Sequence, residues 1–586
     1  MRHFALIMLF IVAVPLCLNA QDPFQIEQIM TVLGVDDPQD LDEEQVDRLS
    51  YLLDHPIRIN SAEISELRSS GLFTQYQLAV LSDYMNNHGK VMSLLELALL
   101  DGFGNDFVRK IGPFIIVGDS SDYNLPSNLR TRHDLAAMTG YKWNAENGSN
   151  WKYGFRYRLN AEERISIAIG ATRPLDSDLW YPSQVSGSCQ WRLREIGGKI
   201  IVGDFNARFG QGLTMWNGTF ITSLTTPDTF MKRASGITQP LSFTGSVALS
   251  GVAAEFEVGK FVISPFVAFP GLKKLKGFDT MPVVNISWLG RYGKASLTGL
   301  VSLPLNRNAH LSAAATGVDA AFCIKGVNIF GEATIDWLQL KTKAMLGTRF
   351  KAGEIFDMSM QMRAYQKDQY GIAYSGAFSF GPRVQISGKD GFAASRLRYT
   401  GYFVADASYY PVPKVKADQY SLQVKSQCVW EVMISPKWML EFRLSERFRT
   451  WGHPFRTEVR TDLSFNSSPF VAELRINMLR SDGTSFLSYV EGGYTAERIS
   501  FHLRQGVFFV DDWDDRIYVY ERDAPGSFNV PAMYGRGLWT STAAVFRLSS
   551  FLRLYARASY IYYPFMEPEK KKPGKAELKL QLQCKF

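Results

Sequence analysis

The sequence predicts an all-β transmembrane barrel of about 20–24 antiparallel strands preceded by a small all-α domain, and three observations carry the prediction. Aromatic residues make up 13% of the 586-residue chain, and mean hydropathy is near neutral. A barrel gives this mixture because only alternate residues of each strand meet lipid. Beyond the first twenty residues no apolar run reaches the ~18 residues of a membrane-crossing helix, so any crossing must use strands. The third observation is charge. Gln21 to Gly118 holds six Lys/Arg against sixteen Asp/Glu, whereas the residues beyond it hold 57 against 41, so an acidic front meets a basic remainder near Asp119.

In chain order, residues 1–20 read as a secretory signal: Met1-Arg2 starts it, Phe4 to Val14 is its apolar core, and Leu18-Asn19-Ala20 is a small-residue cleavage site. Residues 21–55 form an acidic helical lead-in, with Ile26, Ile29, Met30 and Leu33, then Val46, Leu49, Leu52 and Leu53, at helical spacing. Residues 56–118 hold a duplicated helix-hairpin-helix. Asn60 with Glu63 and Ser93 with Glu96 are spaced as capping boxes. Each is followed by a glycine hairpin, Ser70-Gly71-Leu72 or Gly102-Phe103-Gly104, and by a second helix expected to bury Leu78, Leu81 and Tyr84 or Phe107, Val108 and Ile111. Residues 119–130 are short, polar and proline-bearing, as a linker is.

Residues 131–586 carry the barrel. Trp151, Tyr153, Phe155, Tyr157 and Leu159 alternate with Lys152, Gly154, Arg156, Arg158 and Asn160, and Ile165, Ile167 and Ile169 resume the pattern after a tight turn. The same period of two recurs at Trp438 to Leu444, Phe470 to Met478, Leu552 to Tyr560 and Leu578 to Phe586. Cys189, Cys323, Cys428 and Cys584 are far apart and read as small strand residues rather than disulfide partners.

Ile59-Asn60-Ser61-Ala62, the stretch Tyr84 to Gly89, Ser93 to Leu97 and Gly102-Phe103-Gly104 resemble the ComEA-type helix-hairpin-helix domain over about sixty residues, the second half more fully. That resemblance implies phosphate contacts at Gly102, Gly104 and Asn105, with Arg109 and Lys110 nearby, because hairpin glycines and the N–H groups opening the next helix bind phosphate in that family. The first hairpin departs from the pattern, with Gly71-Leu72-Phe73 where the family has Gly-Ile-Gly. The last strand resembles the terminal strand with aromatic carboxy-terminus that outer-membrane barrels present to their insertion machinery. Gly203 to Trp216 and Gly535 to Trp539 are similar to blocks of outer-membrane proteins with a helix-hairpin-helix front. The resemblance implies a Gram-negative outer membrane, with the helical domain in the periplasm. Its expected partners are outer-membrane lipid, the barrel insertion machinery and a periplasmic protein.

If the apolar members of each strand face lipid, Arg156, Arg158, Arg443, Arg475, Arg553 and Arg557 face the lumen, where they either select anions or pair with carboxylates and hold a plugged barrel together. None of the seven histidines stands in a recognisable catalytic or zinc spacing, so no enzyme, cofactor or metal is expected. Asp511-Asp512-Trp513-Asp514-Asp515 is a calcium candidate that reads more simply as a solvated loop. Neither a TonB box nor a long plug domain is recognisable ahead of the barrel. Two functions stay open: a transport or envelope-assembly component whose helical domain docks a periplasmic partner, and a DNA-binding or DNA-uptake receptor. Non-specific DNA affinity needs excess lysine and arginine, and residues 56–118 hold five basic against six acidic, which favours the first.

Overall fold

The computed structural model describes residues 25–586 apart from 36–40, 42, 118–130, 145–147, 162–163, 176, 178, 194–196, 219–225, 241–242, 244–247, 271–278, 305–310, 325, 354, 367–369, 381–382, 389–390, 407–420, 528 and 568–571. The signal and the linker expected at 1–20 and 119–130 lie outside the described residues.

Six helices form the front: α1 (Gln25–Leu33), α2 (Glu43–Asp54), α3 (Ile64–Ser70), α4 (Gln75–His88), α5 (Leu94–Leu99) and α6 (Gly104–Ile111). A two-residue parallel pairing of Ile57–Arg58 with Ile115–Ile116 brackets the duplicated unit. The start signals differ from expectation in one place. Asn60 caps no helix: Glu63 precedes α3 without a side-chain cap, and the Asn60 amide instead donates to the Val91 carbonyl (2.8 Å) and accepts from the Val91 N–H (2.9 Å). It clasps the first repeat to the second, because a carboxamide matches both backbone groups of an extended residue. Ser93 does cap α5, accepting from Glu96 N at 3.1 Å, while the Glu96 carboxylate takes the Met92 N–H at 2.6 Å. A capping box that the sequence reading missed, Thr74 with Gln77, opens α4.

The remainder closes into a barrel of 24 antiparallel strands, at the upper end of the expected range. Tyr370–Phe380 and Arg383–Gly388 share the partner Gly391–Asp406 and so occupy one wall position. Closure joins Thr131–Asn144 to Lys575–Lys585, with Leu135 opposite Cys584 and Ala137 opposite Leu582, so both ends of the barrel segment fall on one side. Alternation sorts the side chains. Val252, Val318, Leu346, Val490 and Leu578 are exposed on the outer face, while Glu255, Asp319, Met345, Glu491 and Gln581 are buried on the inner one. An apolar belt around a polar interior suits a barrel solvated by lipid outside, and the chain is an outer-membrane barrel. The four described cysteines are free, as expected.

The helical front does not stand apart from the barrel. It sits within the lumen: the sequence carries no recognisable long plug domain, and it is these helices that meet the inner wall as a plug. Their hydrophobic core, from Ile26 through Ile29, Leu49, Leu67, Leu78, Leu97 and Val108 to Ile115, is drawn from the helical domain itself, with Tyr520 of the barrel packed at its margin. A body with its own core needs few apolar contacts to the wall. Sequence periodicity shows which residues a helix buries, not what surrounds the folded domain.

Candidate functional site in the barrel lumen

Polar contacts hold the plug to the wall. Arg68 of α3 pairs with Glu255 on the strand Leu249–Val258, and both are buried. Glu255 also accepts from Ser264 (3.2 Å) and lies 3.6 Å from Lys199, whose ammonium reaches Ser69 of α3 at 2.8 Å. One strand position away on the lumen face, Glu257 accepts the Ser65 N–H at 2.8 Å. On α2, Glu44 takes Arg48 (2.8 Å), Arg208 (2.5 Å) and the Asn206 amide (2.7 Å). Around the rim, Asp54 meets Lys585 (2.5 Å), Glu66 meets Arg192 (3.0 Å), and Tyr51 accepts from Asn160 (2.8 Å). The acidic charge read as a barrier to DNA binding is therefore partly matched to the basic wall.

Two long loops turn inward onto this plug. In the first, between Gly198–Arg208 and Leu249–Val258, the Glu332 carboxylate accepts the N–H groups of Gln211 (2.6 Å), Leu213 (3.1 Å) and Thr214 (2.7 Å) and the Thr214 hydroxyl (2.7 Å). Gly210 and Gly212, at φ of 58° and 83°, turn these donors toward one point, and a Cβ on Gly210 would stand 2.7 Å from the carboxylate. Consecutive N–H groups arranged this way form an anion nest. The glycine-aromatic block of residues 203–216 thus builds a clamp for a wall carboxylate. Farther along, Thr226 donates to Gly34 O (2.6 Å), Arg233 to Val32 O (3.0 Å), and the Gln75 amide to Ala234 O (2.7 Å). Asp228 is fixed by Arg349 (2.5 Å); burial opposes its charge, but Arg349 with Lys110, Arg233 and Lys351 holds its carboxyl far below the usual range. Lys232 runs the other way, as burial pushes its ammonium down to about 7 although Glu332 opposes the shift.

The second inturned loop, residues 511–534, takes up one of the expected lumen charges, Arg557, together with other wall charges. Arg557 pairs with Glu521 (2.9 Å) and Glu577 (2.7 Å), Lys579 with Asp523 (3.0 Å), and Arg504 and Arg522 with Glu491 (2.5 and 2.8 Å). Arg475 lies between Asp462 (2.5 Å) and Glu473 (3.2 Å), and Arg443 binds Glu441 (2.9 Å). Arg156 stacks over Phe243 (4.6 Å) and Arg158 over Tyr51 (5.7 Å). Arg553 stands opposite Arg547 and Gln583. Of the six arginines, Arg443, Arg475 and Arg557 thus meet carboxylates inside the barrel. In the aspartate cluster, Asp511 pairs with Arg536 (2.6 Å) and Asp515 accepts from Ser481; no metal-ligand group occurs among the described residues.

At the expected phosphate hairpin, Gly102, Gly104 and Asn105 are exposed, the two glycines with positive φ. Arg109 and Lys110 both reach Asp106, at 2.8 and 3.2 Å, so the nearest cations already share a carboxylate. The first hairpin turns Leu72 and Phe73 into the core. The residues the sequence reading missed, Glu44, Arg68, Glu255, Glu257 and Glu332, share a signal for the three on the wall. Each is an acid at a lumen-parity position of a strand built mostly of small and apolar residues.

A closed barrel whose lumen holds an amino-terminal helical body and two inturned loops belongs to the class of plugged outer-membrane barrels. No family model matches this chain, and no curated protein matches it. Among solved structures it is similar to the siderophore receptor PirA from Pseudomonas aeruginosa, at 8% identity over 78% of this chain and 80% of that one, with a TM-score of 0.40. It is similar also to the copper transporter OprC (7%, 78% and 80%, 0.39) and to the translocation pore of the P pilus usher PapC (7%, 78% and 99%, 0.32). At these identities and scores the matches assign neither family nor activity.

Proposed function

We propose that this chain is a gated transport component of the outer membrane, in which the helix-hairpin-helix domain is the movable plug and a periplasmic protein is its partner. The carrying observation is the mismatch between the plug's interior and its mounting. Its core is closed on itself, whereas its attachments to the wall are ion pairs and hydrogen bonds. Such a body moves as a unit without exposing its core, since polar contacts exchange with water at small net free energy. Met92, Leu94, Leu95 and Leu99 are exposed on and beside α5, at 44 to 85% of their surface, and supply an apolar face for the partner.

Planar-bilayer conductance tests the reading. The full chain is expected to be nearly silent, and the barrel without residues 21–118 is expected to conduct. A folded, plug-deleted barrel that stays silent rejects it. The alternative, DNA capture at Gly102, Gly104, Asn105, Arg109 and Lys110, draws support from the exposed hairpin alone. Titration of fluorescent duplex into the full chain at low salt distinguishes the two, with salt-sensitive binding favouring DNA.

A further inference from the structure

The lipid-facing side of the wall carries apolar side chains at mid-strand, with Ile286, Val318, Leu346, Phe442 and Ile476 all exposed there. Gln505 departs from that pattern. On the strand Ile499–Val510, His502, Arg504, Phe508 and Val510 are buried within, while Leu503 and Gln505 are exposed outside. Phe501 and Phe509 share the outer face, four residues to either side of Gln505. Phe501 stands opposite Tyr494, and Phe509 packs with Phe486 and Phe565. At ~3.3 Å per residue the two phenylalanines are roughly 26 Å apart along the strand, the separation of the two aromatic girdles of a membrane barrel. Gln505 therefore sits midway between the girdles, in the hydrocarbon.

Lipid tails offer a polar group no hydrogen bond, so an amide at that depth is costly unless protein meets it. Hydroxyls on this face are met by the neighbouring strand: Ser488 donates to Arg475 O (2.9 Å) and Thr542 to His502 O (3.0 Å). A carboxamide has more to satisfy. The Gln505 Oε1 accepts from the Thr540 hydroxyl (2.5 Å), and the group also carries a second lone pair and two N–H donors. Among the described residues it is the one carboxamide at a mid-strand position on the outer face; Glu446, also outward, stands near the end of its strand. The wall beside it is low. Gln505 lies in the row Val490, Gln505, Thr540 and Tyr560, and the next row is Gly492, Leu503, Thr542 and Ala558, in which Leu503 alone is bulky.

We propose that the outer face of the strands Thr484–Thr495, Ile499–Val510 and Gly535–Arg547 seats a second copy of this chain, through reciprocal hydrogen bonds between the two Gln505 carboxamides at the middle of the bilayer. Self-complementarity selects this occupant. Copies inserted in one membrane share an orientation, so a two-fold axis along the membrane normal brings the same residue of each to the same depth. Each amide N–H then donates to the Oε1 of the other, and a carboxamide supplies both the donor and the acceptor that this needs. The small side chains of the adjoining row let the two walls approach closely enough for that contact. Pairing of the barrels does not depend on plug movement and stands whether or not the lumen is gated.

Sedimentation equilibrium of the purified full chain in detergent, over a range of protein-to-detergent ratios, measures the association. The parent is expected to form a dimer, and Gln505→Leu to weaken it by about tenfold or more. Leucine suits the lipid face, so this variant is expected to fold into vesicles at least as well as the parent. Disulfide trapping in native membranes locates the contact. In a chain whose four free cysteines are replaced by alanine, Gln505→Cys is expected on mild oxidation to give a linked species of twice the chain mass. Val318→Cys, at mid-strand on the opposite wall, is expected to give none. A monomeric parent, a Gln505→Leu chain as dimeric as the parent, or equal trapping by the two cysteine variants overturns the proposal. So does a Gln505→Cys product of another mass, which a different protein on this face would give.

Discussion

Single buried charges decide how the plug is mounted. Removing one partner of a buried pair leaves the other desolvated, at about 3–5 kcal/mol, whereas replacing both by apolar residues is close to neutral. Arg68→Ala is therefore expected to lower thermal stability and to expose the α3 region to protease, while Arg68→Lys, which keeps a cation opposite Glu255, recovers much of the loss. Asn60→Ala removes both hydrogen bonds to Val91 and is expected to cost about 1–3 kcal/mol, measurable as a lower melting temperature. Neither role is legible in sequence. Asn60 carries the spacing of a helix cap, and its true partner lies 31 residues away. Arg68 looks like any polar residue on an amphipathic helix.

The inturned loop is an element whose shape rests on one carboxylate and one displaced proton. Glu332→Gln leaves the size unchanged but removes the negative charge that three N–H groups face, so the amides of Gln211, Leu213 and Thr214 are expected to exchange hydrogen faster. Nearby, burial lowers Lys232 to about 7, below its ordinary value of 10.5. The unfolded chain then binds more protons than the folded one between these values, so stability is expected to rise as pH increases from about 7 toward 10. Lys232→Met is expected to flatten that slope in melting curves recorded across the range. The glycine-aromatic block around Gly210 was visible as a motif, but its purpose depends on a wall residue more than a hundred positions downstream.

At the scale of the molecule, the apolar belt makes a sharp demand. Val318 sits mid-strand on the outer face at 55% exposure, and an arginine there would meet lipid. Val318→Arg is expected to cost about 2–4 kcal/mol near the bilayer midplane, read as reduced folding into vesicles, whereas a polar change on the lumen face has a much smaller effect.

By itself the sequence determined the two-part organisation, the helix periodicity, the strand alternation and the outward face of each strand. These are properties of neighbours two to four positions apart, and the pattern of apolar side chains records them directly. Only the tertiary structure decided where the helical domain sits and which carboxylates receive the lumen arginines. Such pairings join residues separated by up to several hundred positions, and their energy depends on burial and register that no local pattern encodes. The acidic front and basic remainder, which in sequence mark two domains, are in the folded chain the two sides of one interface.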